Sequence, residues 1–258
     1  MKQLDNDFYK PMSWWQNYFI EGWEPVQHLV KTRAHTQLES EFIAAIMEEN
    51  NHKRLLDVPC GSGRIALALA QYGFETVGIE YNPNAIEAAK ANAKRRRQQT
   101  RTHFEVGDMR QLDFNAEFDM AACVFNSFGY FDDADNERFI AGISRARKKN
   151  GSFLLDCHVL ETLLPAWSPS SFWRFDDLVI LEEREWDLAQ SRMNGQWTFI
   201  KPNAPQQQFN SRVRIYSYKE LSELLGKYKL IIESTYSGYD GEPYLMGNDS
   251  MLIVARKK

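Results

Sequence analysis

The stretch Leu55-Leu56-Asp57-Val58-Pro59-Cys60-Gly61-Ser62-Gly63-Arg64 restricts the fold of this chain more than any other. An apolar strand enters a glycine turn, and a helix starts at once. Glycine lets a backbone pass close to a ligand without a Cβ clash. A helix start points free N–H groups and a positive dipole end at that ligand. Asp57 adds an acid inside the strand, just before the turn.

The text around this turn alternates between strand and helix. The apolar patterns predict strands over Arg54–Pro59, Thr76–Tyr81, His103–Gly107, Phe118–Phe125 and Ser152–His158. Helices are predicted over Gly63–Tyr72, from Pro83 to about Arg97, and over about Ala134–Lys148, where Asn150-Gly151 marks the end. Such alternation implies a parallel sheet with right-handed crossovers. Upstream, a helix is predicted over about Gln37–Asn50, after an aromatic segment in which Trp14, Trp15, Tyr18, Phe19 and Trp23 recur at near-helical spacing.

Beyond His158 the alternation stops. From about Pro165 to Tyr216 the pattern is antiparallel β, with Val179–Asp187, Gln196–Ile200 and Phe209–Tyr216 as strands. Asn194-Gly195 and Lys201 to Pro205 are the turn signals between them. A helix over about Tyr218–Lys227 and strands over Leu230–Tyr236 and Ser250–Ala255 then return to the first pattern. The expected fold class is α/β: a Rossmann-like, seven-stranded, mostly parallel sheet with helices on both faces, plus a small antiparallel β insertion. The expected organisation is an N-terminal aromatic lid segment (1–35), a Rossmann-like domain (36–164 and 217–258) and an inserted β layer (165–216).

Composition narrows the function classes. The 258 residues suffice for one large domain with an insertion, and 43% hydrophobic with 26% charged is ordinary for a globular protein. A net charge of −4 argues against a surface built to hold nucleic acid. The run Lys94-Arg95-Arg96-Arg97 is read as a solvated helix end rather than an RNA patch. The opening residues lack a signal-peptide pattern, and no apolar run approaches the ~20 residues of a membrane helix. Cys60, Cys123 and Cys157 follow no zinc spacing, so no metal is expected, and buried free thiols fit a cytoplasmic location.

Three further signals stand at the carboxyl ends of predicted strands. Glu80 ends the second strand about 20 residues past the glycines, where a ribose-binding carboxylate belongs. Tyr81 beside it can pack on a purine. Gly107-Asp108-Met109 follows the third strand, and a carboxylate with a thioether suits an adenine pocket. Phe125-Asn126-Ser127-Phe128-Gly129-Tyr130-Phe131 ends the fourth. Open α/β sheets bind ligands at this edge. A nicotinamide dehydrogenase shares the glycine turn, with Ala66 in the place of the third glycine of its motif.

LLDVPCGSGR, GIEY, VGDM and FDMAACVFNSFGYF together resemble the successive motifs of class I S-adenosylmethionine-dependent methyltransferases, closely over about residues 40–160. The C-terminal part is similar to small-molecule members with a β insertion after the fifth strand. The resemblance implies S-adenosylmethionine as cofactor. It implies that Asp57, Pro59, Cys60, Gly61 and Gly63 hold the methionine part, Glu80 and Tyr81 the ribose and purine, Asp108 and Met109 the adenine, with Phe125 and Asn126 beside them. Pro59 departs from the Gly or Ala usual there. NSFGYF is similar to a segment of sugar N-methyltransferases in which a His often stands where Tyr130 does, and a tyrosine is a poor base near neutral pH.

Tyr130, His158 and Tyr18 are the candidates for the acceptor side. His158 is either a hydrogen-bonded structural residue or a substrate ligand or base. Tyr18, with Trp14 and Trp15, is either packing or a lid. In the insertion, Trp173, Arg174, Glu182 and Arg184 are candidates to read the substrate, and strand alternation sends half of them to solvent. The expected reaction is in-line methyl transfer to a nitrogen or oxygen of a small molecule, by a monomer or homodimer without nucleic-acid or membrane partners. The alternatives are an RNA or tRNA methyltransferase and a non-catalytic S-adenosylmethionine-binding protein.

Overall fold

The computed structural model describes residues 13–23 and 26–258. Residues 1–12, 24 and 25 of the aromatic segment expected over 1–35 lie outside the described residues. The rest of that segment is α1 (Trp14–Asn17), a π-helical turn (Tyr18–Trp23) and α2 (Gln27–Val30), so its near-helical spacing is spread over three short pieces. α3 (Arg33–Glu49) follows, capped by the Thr32 hydroxyl, which accepts from the His35 amide.

The α/β series then runs β1 (Arg54–Asp57), α4 (Arg64–Gln71), β2 (Glu75–Glu80), α5 (Pro83–Arg95), β3 (Thr102–Val106), β4 (Phe118–Cys123), α6 (Asp133–Ala146) and β5 (Arg147–Asp156). Caps mark the helix starts, with Asn82 before Pro83 in α5 and Asp132 before α6. α7 (Leu160–Leu163) leads to the inserted strands β6 (Ser170–Phe175), β7 (Leu178–Asp187), β8 (Arg192–Ile200) and β9 (Gln207–Arg214). α8 (Tyr218–Lys227), β10 (Leu230–Tyr236) and β11 (Leu252–Lys257) close the chain, and a Ser217–Glu220 capping box starts α8.

The seven-stranded sheet has the order β10-β11-β5-β4-β1-β2-β3. All neighbours pair in parallel except β11, which is antiparallel to both β5 and β10. The chain moves outward from β1 to β3 and then crosses back to β4, so the switch point lies between β1 and β4. Strand alternation splits the core. Leu56, Ala121, Leu155 and Ile253 face α6 and α8 through Phe139, Ile143 and Leu221. Leu55, Ala122, Leu154 and Val254 face α3 and α4 through Ile43, Met47, Ile65 and Leu69. This double coverage explains why the central strands are apolar throughout.

The second sheet is an antiparallel meander, β6-β7-β8-β9. Here one sequence expectation is corrected. Asn194-Gly195 is not a turn; both residues lie inside β8, paired with Glu185 and Arg184, and the chain reverses over 188–191. Gly195 serves packing instead, because a Cβ there would lie 2.5 Å from Ser211 Oγ. A second correction concerns Asn150-Gly151. The helix already ends at Ala146, and the pair lies within β5, with Asn150 at φ 62°. No helix among the described residues is long and apolar enough to cross a membrane.

Candidate functional site

β1 delivers Asp57 to the switch point, and the chain turns there through Gly61 (φ +52°) and Gly63 (φ +78°) into α4. The turn is tied by its own amides. Cys60 N–H donates to the Ile79 carbonyl (2.9 Å), and Gly61 N–H donates to Glu80 Oε2 (3.0 Å). Glu80 Oε1 accepts from Asn82 N–H (2.9 Å), so this one carboxylate joins the glycine turn to the start of α5. Burial pushes its carboxyl up, and these amide bonds oppose the shift. Asp57 is 1% exposed and accepts from the Ala66 amide (3.3 Å). Burial raises its carboxyl to about 7, against the pull of Arg64.

After β3, Gly107 N–H donates to the Glu80 carbonyl (2.9 Å), bringing Asp108 and Met109 to the same edge. Asp108 is gripped by its neighbour: Arg110 Nε donates to both oxygens (3.0 and 3.1 Å), and Arg110 reaches on to Asp135 (2.8 Å). Burial alone would raise the Asp108 carboxyl, but the Arg110 bonds outweigh it and hold it below its ordinary range. The Tyr81 ring meets Trp15 edge-on at 4.8 Å.

After β4 the backbone takes an unusual course. Phe125 (φ 62°) and Asn126 (φ 53°) are consecutive non-glycine residues in the left-handed region. Asp156, at the end of β5, holds them. Its Oδ2 accepts from Phe125 N–H (2.8 Å) and from the Tyr239 hydroxyl (2.8 Å), and its carbonyl accepts from Asn126 N–H (3.0 Å). Gly129 (φ +94°) then lets the loop lie against the inserted sheet. Its carbonyl accepts from Arg214 N–H (2.7 Å), and a Cβ there would stand 2.3 Å from the Arg214 carbonyl oxygen.

These pieces surround one cavity of about 550 Å³, within the range of small-ligand sites. Asp57, Pro59, Cys60, Gly61, Glu80, Tyr81, Asp108, Met109, Phe125 and Asn126 line it, as do Tyr130, His158 and Tyr18. Of the residues singled out in the sequence, Gly63 does not line it. Gly63 starts α4, and a Cβ there would lie 2.7 Å from the Phe104 ring, so its lack of a side chain serves packing.

The far half of the cavity is aromatic. Tyr130 lies between Phe19 (4.8 Å between ring centroids) and Trp14 (5.7 Å). Tyr18 packs on Trp197 (5.4 Å), which stacks on Trp173 (5.7 Å). Burial raises both tyrosine hydroxyls, and Glu182 adds to the effect at Tyr18. His158 has no hydrogen bond to its ring among the described residues, and burial, with Arg184 nearby, lowers it to about 4. Its imidazole is therefore neutral at physiological pH. Of the four candidates in the insertion, Trp173, Glu182 and Arg184 face the cavity and Arg174 faces solvent.

Several site residues escaped the sequence reading. Asp156 carried a usable signal, an acid at the carboxyl end of a parallel strand. Lys31 carried none. It pairs with Glu39 (2.9 Å) and sits 3.5 Å from the Phe125 ring centroid, and Glu39 also pairs with Arg64 of the glycine turn. These contacts join the N-terminal segment to the turn. Among the described residues, no group of acids, cysteines and histidines is arranged to hold a metal ion.

Residues 55–151 match the family model described as a methyltransferase domain. The chain is 29% identical over 151 residues to a glycine/sarcosine N-methyltransferase of Parasynechococcus marenigrum (strain WH8102), covering 58% of this chain and 52% of that one. The chain thus spans about half the length of the curated relatives it matches. Its fold is that of an S-adenosylmethionine-dependent methyltransferase from Clostridium acetobutylicum (TM-score 0.77, 18% identity, covering 94% of this chain and 98% of that one). It is likewise similar to an amino pentose methyltransferase from Micromonospora echinaspora, solved with S-adenosylmethionine bound (TM-score 0.67, 17% identity, 92% and 96% covered).

Proposed function

We propose that this chain, whose residues 55–151 match a methyltransferase domain, is a class I S-adenosylmethionine-dependent methyltransferase that methylates a nitrogen or oxygen of a small molecule enclosed between its N-terminal aromatic segment and its inserted sheet. The observation that carries this reading is the continuity of the cavity. It runs from the switch point between β1 and β4, past Tyr130, to the inner face of the four-stranded sheet.

The residues present fit the cofactor. Among the described residues, only the Gln27 side chain (3.5 Å) comes within contact range of a Cβ at Gly61, which leaves a glycine cradle open to a ligand. Asp57 is a buried carboxylate facing the cavity with one long amide bond, so it can take a cationic amino group. Glu80 keeps acceptor capacity for the ribose hydroxyls beyond the amides of Gly61 and Asn82 that it already receives. Tyr81 and Met109 offer flat and polarisable surfaces to the adenine. Asp108 is already gripped by Arg110, so its role toward the adenine amine is limited to the acceptor sites that Arg110 leaves. The cofactor supplies a methyl group on positively charged sulfur, which makes the methyl electrophilic.

The chain's own work is alignment and exclusion of water, which alone contributes on the order of 7–11 kcal/mol in well-oriented reactions. Tyr130 and Tyr18 stay protonated and act as hydrogen-bond donors, not bases. His158, neutral and without a hydrogen-bond partner among the described residues, is free to accept a hydrogen bond from the acceptor. Incubation with methyl-deuterated S-adenosylmethionine and a small-molecule metabolite extract tests the reading. A metabolite gaining the labelled methyl, in an RNase-resistant reaction, is the expected outcome. Labelling confined to RNA would contradict it.

A further inference from the structure

Glu182 is a carboxylate with an incomplete set of partners at the wall of the cavity. It stands mid-strand in β7 and is 2% exposed. Arg184 holds Oε2. Oε1 receives no hydrogen bond among the described residues, although Glu182 lines the cavity. Oε1 opens onto the cavity and is available to a donor from whatever occupies the space.

The surroundings specify what kind of donor. Trp197 stands directly opposite Glu182 across the β7–β8 ladder. Trp173 stacks on Trp197 at 5.7 Å with an interplanar angle of 13°, and Tyr18 packs against Trp197 from the N-terminal segment at 5.4 Å. The Trp197 indole N–H is spent on Ser211 Oγ (3.0 Å), so that ring offers its face and edge but not its donor. Gly195 makes room for the group: a Cβ there would lie 3.6 Å from Glu182 Oε1. Aromatic rings around a carboxylate favour an N–H-bearing cation over a neutral hydroxyl or an anion.

Resting on the reading of the cavity as a methyl-acceptor site, we propose that Glu182 is the specificity-determining residue for the acceptor. It binds the acceptor's ammonium group between Tyr18, Trp173 and Trp197, while Arg184 holds the other carboxylate oxygen in place. The ammonium group passes one proton to water before the neutral nitrogen's lone pair takes the methyl and S-adenosylhomocysteine leaves. The acceptor is therefore a small amine, and its hydroxyl analogue is a poor substrate. Burial raises the Glu182 carboxyl, and the hydrogen bond and charge of Arg184 oppose that shift.

Matched acceptors test this: D-glucosamine against D-glucose, glycine against glycolate, and 2-phenylethylamine against 2-phenylethanol. Release of S-adenosylhomocysteine is followed with wild type, Glu182→Gln and Trp173→Leu, and S-adenosylmethionine affinity is measured separately on each. The expected result is turnover of at least one amine and not of its hydroxyl twin. Glu182→Gln raises KM for that amine by at least about tenfold, the size of one lost charge-assisted hydrogen bond, with kcat less affected and cofactor affinity unchanged. Trp173, half-buried on the edge strand β6, reports the same subsite if Glu182→Gln lowers the melting temperature; Trp173→Leu raises KM several-fold. Equal turnover of the hydroxyl twin, an unaltered KM in both variants, or cofactor-binding protein that methylates no amine would overturn the assignment. Failure of wild type to bind S-adenosylmethionine would overturn the methyltransferase reading instead.

Discussion

At the residue scale, the site depends on carboxylates whose surroundings differ. Asp57 and Glu80 are pushed up by burial, whereas Arg110 holds Asp108 down. If Asp57 holds the cofactor's amino group as proposed, its carboxyl at about 7 makes cofactor affinity depend on pH. Its charged form attracts a cationic amino group, and a bound cation lowers its carboxyl, so binding releases protons. Affinity is then greatest above pH 7 and weakens as pH falls through 7 toward 6, approaching roughly tenfold per unit. Arg64, which favours the charged form, and Glu80 and Glu39, which disfavour it, are the other charges acting on Asp57. Calorimetry between pH 7.5 and 6 checks this, and Asp57→Asn flattens the dependence. The acids of the glycine turn and β2 were legible in the sequence because they stand at fixed distances from the glycines. Lys31 was not, because what gives it meaning is contact with Glu39 and Phe125; Asp156 showed only as an acid at a strand end, and its role rests on contact with Phe125 and the remote Tyr239.

At the element scale, the central strands announced themselves through apolar runs that both sheet faces require, and α5 through Pro83 at its first turn. The inserted sheet was harder. Its alternation was visible, but Asn194-Gly195 has the composition of a turn and sits in a strand. The tertiary contact with Ser211, not the local pattern, places a glycine there. Gly129 poses the opposite case, where backbone conformation and close approach agree. Gly129→Ala forces a left-handed alanine and a 2.3 Å contact with the Arg214 carbonyl. It is expected to cost roughly 1–3 kcal/mol, measured by urea unfolding. It also moves Tyr130 off the cavity wall, so kcat/KM falls more than cofactor affinity does.

At the scale of the whole molecule, two sheets and one short aromatic segment share a single cavity. The seven-stranded sheet contributes the end with the glycine turn and the acids. The four-stranded sheet contributes the aromatic end, with Glu182 and Arg184. The segment containing Trp14, Trp15, Tyr18 and Phe19 touches both: Trp15 meets Tyr81 at one end, and Tyr18 meets Trp197 at the other. On the proposed reading, acceptor and cofactor share walls. The central claim is that the glycine turn and Glu80 hold S-adenosylmethionine, and calorimetric titration of S-adenosylmethionine into wild type and Glu80→Ala tests it most directly. The account predicts saturable one-site binding to wild type and a loss of affinity of at least tens of fold in the variant, as expected for charge-assisted hydrogen bonds. No heat of binding to folded wild type, or equal affinity in folded Glu80→Ala, would contradict it.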